Sequence, residues 1–188
     1  MIAARDQARM SPDEYLEWET TQTVRHEYLH GIAYAMTGGT LAHNTVAINL
    51  TTLLKETVRS QGCKLFMADA KVQLPAADQP YFYPDVVVTC HPEDKQATKF
   101  IRHPCLVVEV LSPATEAYDR GDKFGHYRTL ASLQEYVLVS SERVSVEVFR
   151  FNERGKWELT PYNAGDTLQL ASVGFECPLE RLYEDLEL

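Results

Sequence analysis

Two carboxylates that interrupt apolar segments are the residues best suited to chemistry in this sequence. Asp85 stands in the segment YPDVVV, and Glu109 divides the apolar run LVVEVL. Such continuous apolar runs are typical of strands covered on both faces, where an unpaired carboxylate would cost several kcal/mol. We therefore expect a cation or a charged partner beside each acid.

The two-residue period of a strand allows these acids to meet. In an extended chain Asp85 shares a face with Val87, and Glu109 shares a face with Val107 and Leu111. Pairing of the two strands can therefore bring both carboxylates to one point. Paired carboxylates with room for water suit Mg²⁺ or Mn²⁺, which bind oxygen ligands and bridge substrate phosphates.

A lysine completes the candidate site. Lys123 is predicted on a helix on which Asp119, Lys123 and Tyr127 share one face at four-residue spacing. Its ammonium could reach a scissile phosphate, as a catalytic base or as a stabiliser of charge. Lys71, two residues after Asp69, is the alternative lysine.

Each of these residues also has an ordinary structural interpretation. Asp85 could begin a strand and accept backbone hydrogen bonds, and Glu109 could form a buried salt bridge with Arg102 or Arg128. Lys123 could lie on a solvated helix face, as most helical lysines do. These alternatives stay open at the level of the sequence.

A further motif is the segment HEYLH, from His26 to His30, which matches the HExxH pattern of zinc proteases. In that motif two histidines one helical turn apart bind zinc, and the glutamate acts as the general base. Gly31 and the strand-like IAYAM follow at once, so we expect the histidines to be structural or exposed.

The pattern of apolar and turn residues predicts the elements that position these side chains. A capped helix begins at Ser11, and a hairpin around Gly31 spans Glu27 to Thr37. A longer helix, with His43 near its start, extends to Ser60. Strands are predicted at 63–66, 68–74, 85–89, 106–111, 136–140, 144–151 and 157–162, and a second helix near 119–130.

Composition indicates an ordinary globular chain. Its 188 residues are 45% hydrophobic, which suits a single domain over 1–188. No apolar run approaches the roughly 20 residues that span a bilayer, and no secretory signal is evident, so we expect a cytoplasmic protein without membrane contact. The four cysteines form no CxxC pair, so we expect reduced thiols without a disulfide framework.

The sequence resembles the Uma family of restriction endonucleases, within the PD-(D/E)XK nuclease superfamily. The resemblance extends over most of the chain, through SPDEYLEWE, RHEYLHGIAYAMTGGTLAH, YPDVVV, LVVEVLSPATEAYDRGDKFGHY and EYVLV. Its most specific part is EVLSP followed by D, K and Y at regular spacing.

The resemblance implies an α/β (α+β) fold with a mixed sheet: a restriction-endonuclease-like core with flanking helices and additional C-terminal strands. It implies Asp85 and Glu109 as metal ligands and Glu27 as a further acid. The superfamily usually places its lysine two residues after the second acid, but Leu111 stands there. In the Uma pattern the lysine has moved to the next helix, which favours Lys123.

The leading hypothesis is therefore an endonuclease that uses Mg²⁺ or Mn²⁺ to hydrolyse DNA, and a homodimer would suit cleavage of both strands. The net charge of −9 is unfavourable for DNA, so contact must depend on local basic residues, metal ions or a second subunit. A non-catalytic nucleic-acid or protein interaction module with a vestigial acidic site is the alternative. A zinc hydrolase using HEYLH is a third hypothesis.

Overall fold

The computed structural model describes residues 2–3, 9–36 and 38–188. Its strands and helices, in chain order, are β1 (Ile2–Ala3), α1 (Pro12–Glu19), β2 (His26–Leu29), β3 (Ile32–Ala35), α2 (Leu41–Ser60), β4 (Lys64–Met67), β5 (Val72–Gln73), β6 (Tyr81–Phe82), β7 (Val86–Thr89), α3 (Pro92–Gln96), β8 (Pro104–Leu111), α4 (Glu116–Tyr118), α5 (Phe124–Tyr127), β9 (Glu135–Ser140), β10 (Ser145–Phe151), β11 (Trp157–Asn163), β12 (Thr167–Leu170) and β13 (Phe175–Pro178). A π-helical turn, Asp119–Lys123, joins α4 to α5, and short 3₁₀ turns cover Ala171–Val173 and Leu179–Tyr183.

A mixed six-stranded sheet, in the order β11-β10-β9-β8-β7-β4, forms the centre of the fold. The β8–β9 pair is parallel and the other neighbours are antiparallel. Every residue of β7 and β8 is buried, as expected for strands covered on both faces. This confirms the predicted mixed α+β architecture.

Alternate residues of the central strands belong to two separate apolar clusters. Val86 and Val108 pack on the face covered by α2 and the C-terminal elements. Val87, Val107 and Leu111 pack on the opposite face, with Tyr127 and Leu130 from the α5 region. The two-residue period that was read from the sequence therefore assigns each side chain to its face.

A second sheet, in the order β1-β3-β2-β6-β5, includes the predicted hairpin. Its turn passes through His30 and Gly31, which have φ angles of 52° and 82°. Tyr15 of α1 stacks on Tyr28 of β2, with ring centroids 4.7 Å apart, and this fixes α1 against the sheet. Thr37, the last residue of the predicted hairpin segment, lies outside the described residues.

The start of α1 follows the predicted capping pattern. The Ser11 side chain accepts a hydrogen bond from the Glu14 backbone, and the Glu14 side chain accepts one from the Ser11 backbone. This capping box, with Pro12 at the first turn, explains why the helix begins there.

Most predicted elements are present, with one strand much shorter than expected. The segment 68–74 contains only the two-residue strand β5, because the chain turns at Ala68, whose φ is 55°. The sequence interpretation also missed β1, β6, α3, α4, β12 and β13. The single domain expected over 1–188 stays a prediction.

The expectation of four free thiols was wrong for one pair. Cys63 and Cys90 form a disulfide, whereas Cys105 and Cys177 are free and buried. The cause is strand pairing: Lys64 lies opposite Thr89 in the antiparallel β4–β7 ladder, so the residues flanking that pair face each other.

Candidate active site

The pairing of β7 with β8 brings the two acids together. Val86 lies opposite Val108, so the same antiparallel register places Asp85 opposite Glu109. The Val110 backbone N–H donates a hydrogen bond of 2.7 Å to Asp85 Oδ2. Both carboxylates line one open cleft of about 470 Å³.

Lys123 lies at the centre of this acidic group. Its Nζ is 2.9 Å from Glu27 Oε1, 3.0 Å from Glu109 Oε1 and 3.7 Å from Asp119 Oδ1. Glu27 comes from β2, Glu109 from β8, and Lys123 and Asp119 from the π-helical turn. Lys123 is only 5% exposed and Glu109 only 3%, so the ion pairs are shielded from water.

The charges in this cluster do not balance. Burial raises the pKa of Glu109 well above its usual value; Lys123 opposes this shift, and the neighbouring carboxylates add to it. Burial also raises the pKa of Asp119. Burial alone would lower the pKa of Lys123, but Glu109 and Glu27 raise it well above its usual value. One ammonium therefore faces more carboxylates than it can neutralise.

His43, near the start of α2, lies on the wall of the same cleft. Its Nε2 is 3.2 Å from Asp85 Oδ2. The pKa of His43 is raised, mainly by this hydrogen bond to Asp85. A Cβ atom at Gly39 would lie 2.7 Å from His43 Nδ1, so a larger residue there would displace the imidazole. His43 was predicted near the start of this helix, and the structure shows that it contacts the site.

Glu109 also carries an unsatisfied acceptor. Among the described residues, three buried side-chain polar atoms lack a hydrogen bond: Glu109 Oε1, Tyr118 Oη and Tyr127 Oη. Lys123 Nζ is close to Glu109 Oε1, but that ion pair lacks the angles of a hydrogen bond. A buried carboxylate oxygen without a donor is costly, and a bound cation would satisfy it.

Comparison with known proteins identifies the family of this chain. The sequence model of the Uma2 family, described as "Putative restriction endonuclease", matches residues 12–180. The chain belongs to the Uma2 family.

Two relatives come from Synechocystis sp. "Uncharacterized protein slr1290" is 44% identical over 178 residues, covering 95% of this chain and 93% of the relative. "Uncharacterized protein sll1609" is 33% identical over 150 residues, covering 78% of this chain and 84% of the relative. These matches show that most of this chain corresponds to most of each relative.

A crystal structure shares the fold of this Uma2 protein. It is described as a "putative nuclease belonging to DUF820" from Anabaena variabilis, and it superposes with a TM-score of 0.75 over 93% of this chain and 97% of the other. The sequence identity is 16%, so the likeness concerns the fold alone. The predicted restriction-endonuclease-like architecture is thereby confirmed.

The structure brings the four predicted site residues, Asp85, Glu109, Lys123 and Glu27, to one cleft or into contact with it. Their roles in catalysis and metal binding stay predictions. Leu111, at the position where the superfamily usually has its lysine, is buried in the apolar cluster.

Neither arginine proposed as a partner of Glu109 fills that role, since the partner is Lys123. Arg102 instead donates from Nε to Gln73 Oε1 at 2.6 Å. The competing lysine, Lys71, lies with its Nζ 5.5 Å from the centre of the Tyr83 ring. Within the described part of the chain, Lys71 has no ion pair with the acids of the cleft, so the geometry favours Lys123.

The zinc-protease interpretation of HEYLH was wrong. His26 lies on β2 and its Nδ1 is 3.1 Å from Glu19 Oε2, whereas His30 lies in the turn, 2.8 Å from Asp78 Oδ2. Four residues of strand span about 13 Å, so the two imidazoles cannot bind one ion as they would on a helix. Glu27 instead lies beside the acidic site, where its carboxylate contacts Lys123.

Sequence reasoning treated Asp119 only as a neighbour of Lys123 on the helix. The structure places its carboxylate in the cleft and 96% buried, since only 4% of the residue is exposed. The signal was its four-residue spacing from Lys123, which is retained across the π-helical turn as a 3.7 Å contact.

Among the helices of the described residues, none is long and apolar enough to cross a membrane.

Proposed function

We propose that this protein is a metal-dependent endonuclease that hydrolyses phosphodiester bonds of DNA at the cleft lined by Asp85 and Glu109. The surplus of buried carboxylates around Lys123 carries this proposal. Glu27, Glu109 and Asp119 surround one ammonium, and Asp85 adds a fourth acid to the same cleft. Such a surplus is unfavourable for an isolated chain and favourable for binding a cation.

The donor set fits a hard divalent cation. Asp85 and Glu109 offer carboxylate oxygens from adjacent strands, and Glu109 Oε1 lacks a hydrogen-bond donor. Oxygen ligands in an open cleft suit Mg²⁺ or Mn²⁺ better than the softer metals that prefer nitrogen and sulfur. When bound, such an ion polarises a phosphoryl oxygen and lowers the pKa of a bound water.

Lys123 has the role of a charge stabiliser in this proposal. Because its pKa lies well above the usual value, it remains an ammonium at neutral pH and is a poor general base. It fixes the carboxylates of Glu27 and Glu109, and it presents positive charge to the cleft where a phosphate would enter. Glu27 is therefore an acid that positions Lys123.

His43 and the β8 backbone orient Asp85. The carboxylate accepts from Val110 N and contacts His43 Nε2 through the same oxygen, Oδ2. This arrangement fixes the direction of its other oxygen, Oδ1, before any ligand arrives. A preorganised carboxylate loses little conformational entropy when it binds.

DNA is the proposed substrate and the cytoplasm the proposed location. Cleavage of both strands of a duplex by one type of site is most simply achieved by two copies related by a twofold axis. We therefore expect a homodimer on DNA, and sedimentation of the protein with a short duplex would detect it. A complex that contains one chain per duplex would contradict this expectation.

The test is cleavage of a panel of duplex, single-stranded and branched DNA with Mg²⁺ or Mn²⁺. Asp85→Asn and Glu109→Gln should each lower the cleavage rate at least about 100-fold. Mutation of a residue that only hydrogen-bonds to a metal ligand can already lower activity by that factor. Glu158→Gln, which changes an exposed acid on β11, is the matched control and should cleave like the wild type. Undiminished cleavage by both cleft variants would exclude this site.

Wild-type protein that binds Mn²⁺ by calorimetry but cleaves no member of the panel would instead support the non-catalytic interaction module. That alternative retains the acidic site without turnover. Wild-type protein without any Mg²⁺ or Mn²⁺ binding would contradict the metal-dependent proposal itself.

A further inference from the structure

A second group of metal-binding side chains lies at the other end of β7 from Asp85. His91, Glu93 and His103 each offer one ligand atom, and these atoms all lie within 4.8 Å of one another. The rings of His91 and His103 have centroids 4.0 Å apart, and His103 Nε2 is 3.5 Å from Glu93 Oε2. Asp85 and His91 are separated by the length of β7, roughly 20 Å for extended chain, so this group is distinct from the acidic cleft.

A buried polar network holds the two histidines in place. Asp94, only 3% exposed, accepts hydrogen bonds from the backbone N–H of Arg102 at 2.9 Å and of His103 at 2.8 Å. The Thr89 hydroxyl donates to Asp94 Oδ2 at 2.8 Å, and it accepts from the His91 backbone N–H at 3.2 Å. The backbone of both histidines is therefore fixed to the same carboxylate–hydroxyl pair.

A disulfide next to His91 adds to this rigidity. The residue before His91 is Cys90, which is bonded to Cys63, the residue before β4. Sites built on rigid elements hold ligand atoms with little reorganisation, which favours binding. The network and the disulfide together fix the loops that carry the three side chains.

The contacts now made by these side chains are weak ones. The Glu93 backbone N–H lies 3.4 Å from His91 Nδ1 in a long helix-capping hydrogen bond, and the His103–Glu93 pair is 3.5 Å long. The side chain of Glu93 is 72% exposed, and that of His103 is 35% exposed. A cation could therefore enter from solvent and replace these contacts at little cost.

The geometry points to a second metal site, formed by His91, Glu93 and His103, for a divalent transition metal of the zinc type. Two imidazoles and one carboxylate are a common protein ligand set for Zn²⁺ and leave one coordination position for water. Mg²⁺ prefers oxygen ligands alone. The zinc-type cation should therefore bind at this site, and Mg²⁺ in the acidic cleft. The ion ties the start of α3 to the start of β8.

Zinc titration in the presence of excess Mg²⁺ tests the site directly. Oxidised protein without reductant is titrated with Zn²⁺ against a chromogenic chelator, and we expect about one high-affinity ion per chain. His91→Ala and His103→Gln should each weaken Zn²⁺ binding at least about 10-fold. Zn²⁺ should also raise the melting temperature of the wild type but not of His103→Gln.

Two variants serve as controls for this experiment. His30→Ala removes an exposed imidazole that pairs with Asp78, and Glu109→Gln alters the acidic cleft. Both should bind Zn²⁺ like the wild type. Circular dichroism of each variant establishes that it is folded before its affinity is compared.

Three results would overturn the inference. The first is wild-type protein without Zn²⁺ binding, or wild-type affinity retained by both histidine variants. The second is loss of binding in Glu109→Gln, which would place the zinc in the acidic cleft. The third is binding that appears only after reduction and disappears in Cys63→Ser, which would make thiolates the ligands.

Discussion

The charged form of Glu109 is electrostatically unfavourable, because burial and the neighbouring carboxylates raise the pKa of this residue. Its replacement by the nearly isosteric glutamine removes one negative charge and leaves Lys123 paired with Glu27 and Asp119. We expect Glu109→Gln to stabilise the metal-free protein by about 1 kcal/mol, as relief of strain at functional sites commonly does. Urea unfolding in EDTA measures the difference.

The same variant gives a pH dependence whose sign follows from the raised pKa of Glu109. In the unfolded chain the carboxyl titrates near its ordinary value, whereas in the folded chain it keeps its proton to higher pH. The folded state therefore binds more protons between these two values, and wild-type stability falls as pH rises through that window. The advantage of Glu109→Gln should therefore vanish in acid and grow as pH rises through that window. An advantage that grows on acidification would contradict the assignment.

Lys123 should be essential for stability as well as for the proposed activity. Lys123→Met leaves Glu27, Glu109 and Asp119 without their cation, and breaking a buried ion pair in this way costs about 3–5 kcal/mol. Adding Glu27→Gln removes one of the stranded charges and should recover at least about 1 kcal/mol. Chemical denaturation in EDTA compares the variants.

The matched control for this loss is Lys55→Met on the exposed face of α2, which should change stability by less than about 0.5 kcal/mol. A Lys123→Met variant as stable as that control would show that the carboxylates are not held by the lysine.

Two of the site residues could be recognised from the sequence, because a single carboxylate within an apolar run stands out. Asp85 and Glu109 interrupt apolar strands, and the two-residue period placed them on matching faces. Glu27 was expected at the site only through family resemblance, and its contact with Lys123 was not predicted, since no local pattern joins residues so far apart in the chain. The role of His43 depended on the same kind of long-range packing.

At the level of elements, the disulfide ties the edge strand β4 to β7. Closing a loop with a sequence separation of 27 residues contributes about 3–4 kcal/mol in the chain-entropy model. We expect reductant to destabilise the wild type by about that amount, and Cys63→Ser to show the same stability with and without reductant. Thiol counting of the denatured protein, with and without prior reduction, reports the state of the cysteines.

The double variant Cys63→Ser/Cys90→Ser is the control for this prediction. It should be no less stable than the single variant, because the single substitution already removes the cross-link. A wild type that is unaffected by reductant would mean that the bond contributes nothing to stability in solution.

Elements with a strong periodic pattern were predicted well, and short ones were not. The helix α2 and the strands β7 to β11 combine apolar periodicity with clear turn signals. The two-residue strands β5 and β6 exist because they pair with each other and β6 with β2, which is information that no local window contains. The Cys63–Cys90 bond escaped prediction for the same reason, since it depends on the pairing of β4 with β7.

The π-helical turn illustrates a different limit. Four-residue spacing correctly put Asp119 and Lys123 on one side of a helix, and their contact is present. The wider π-helical turn itself was not predictable from the sequence. It accompanies the burial of Lys123 between strands β2 and β8, which is a tertiary contact. Interruptions of this kind commonly occur at functional sites.

At the scale of the whole molecule, the net charge of −9 sets the conditions under which DNA can bind. A polyanion is repelled by this net charge, and the cleft adds three carboxylates, Asp85, Glu109 and Asp119, near the point of contact. Divalent cations remove that repulsion locally, so wild-type affinity for DNA should rise steeply when Mg²⁺ replaces EDTA.

Neutralising the cleft by mutation should imitate part of this effect. Asp85→Asn/Glu109→Gln removes two negative charges at the point of contact, and we expect about 10-fold tighter DNA binding than the wild type in EDTA, with little further gain from Mg²⁺. Fluorescence anisotropy with a labelled duplex measures both. The control Glu153→Gln/Glu158→Gln changes net charge equally on exposed residues near the β10–β11 turn. An equal gain in that control would mean that DNA responds to total charge, and that the acidic cleft is not where the phosphates bind.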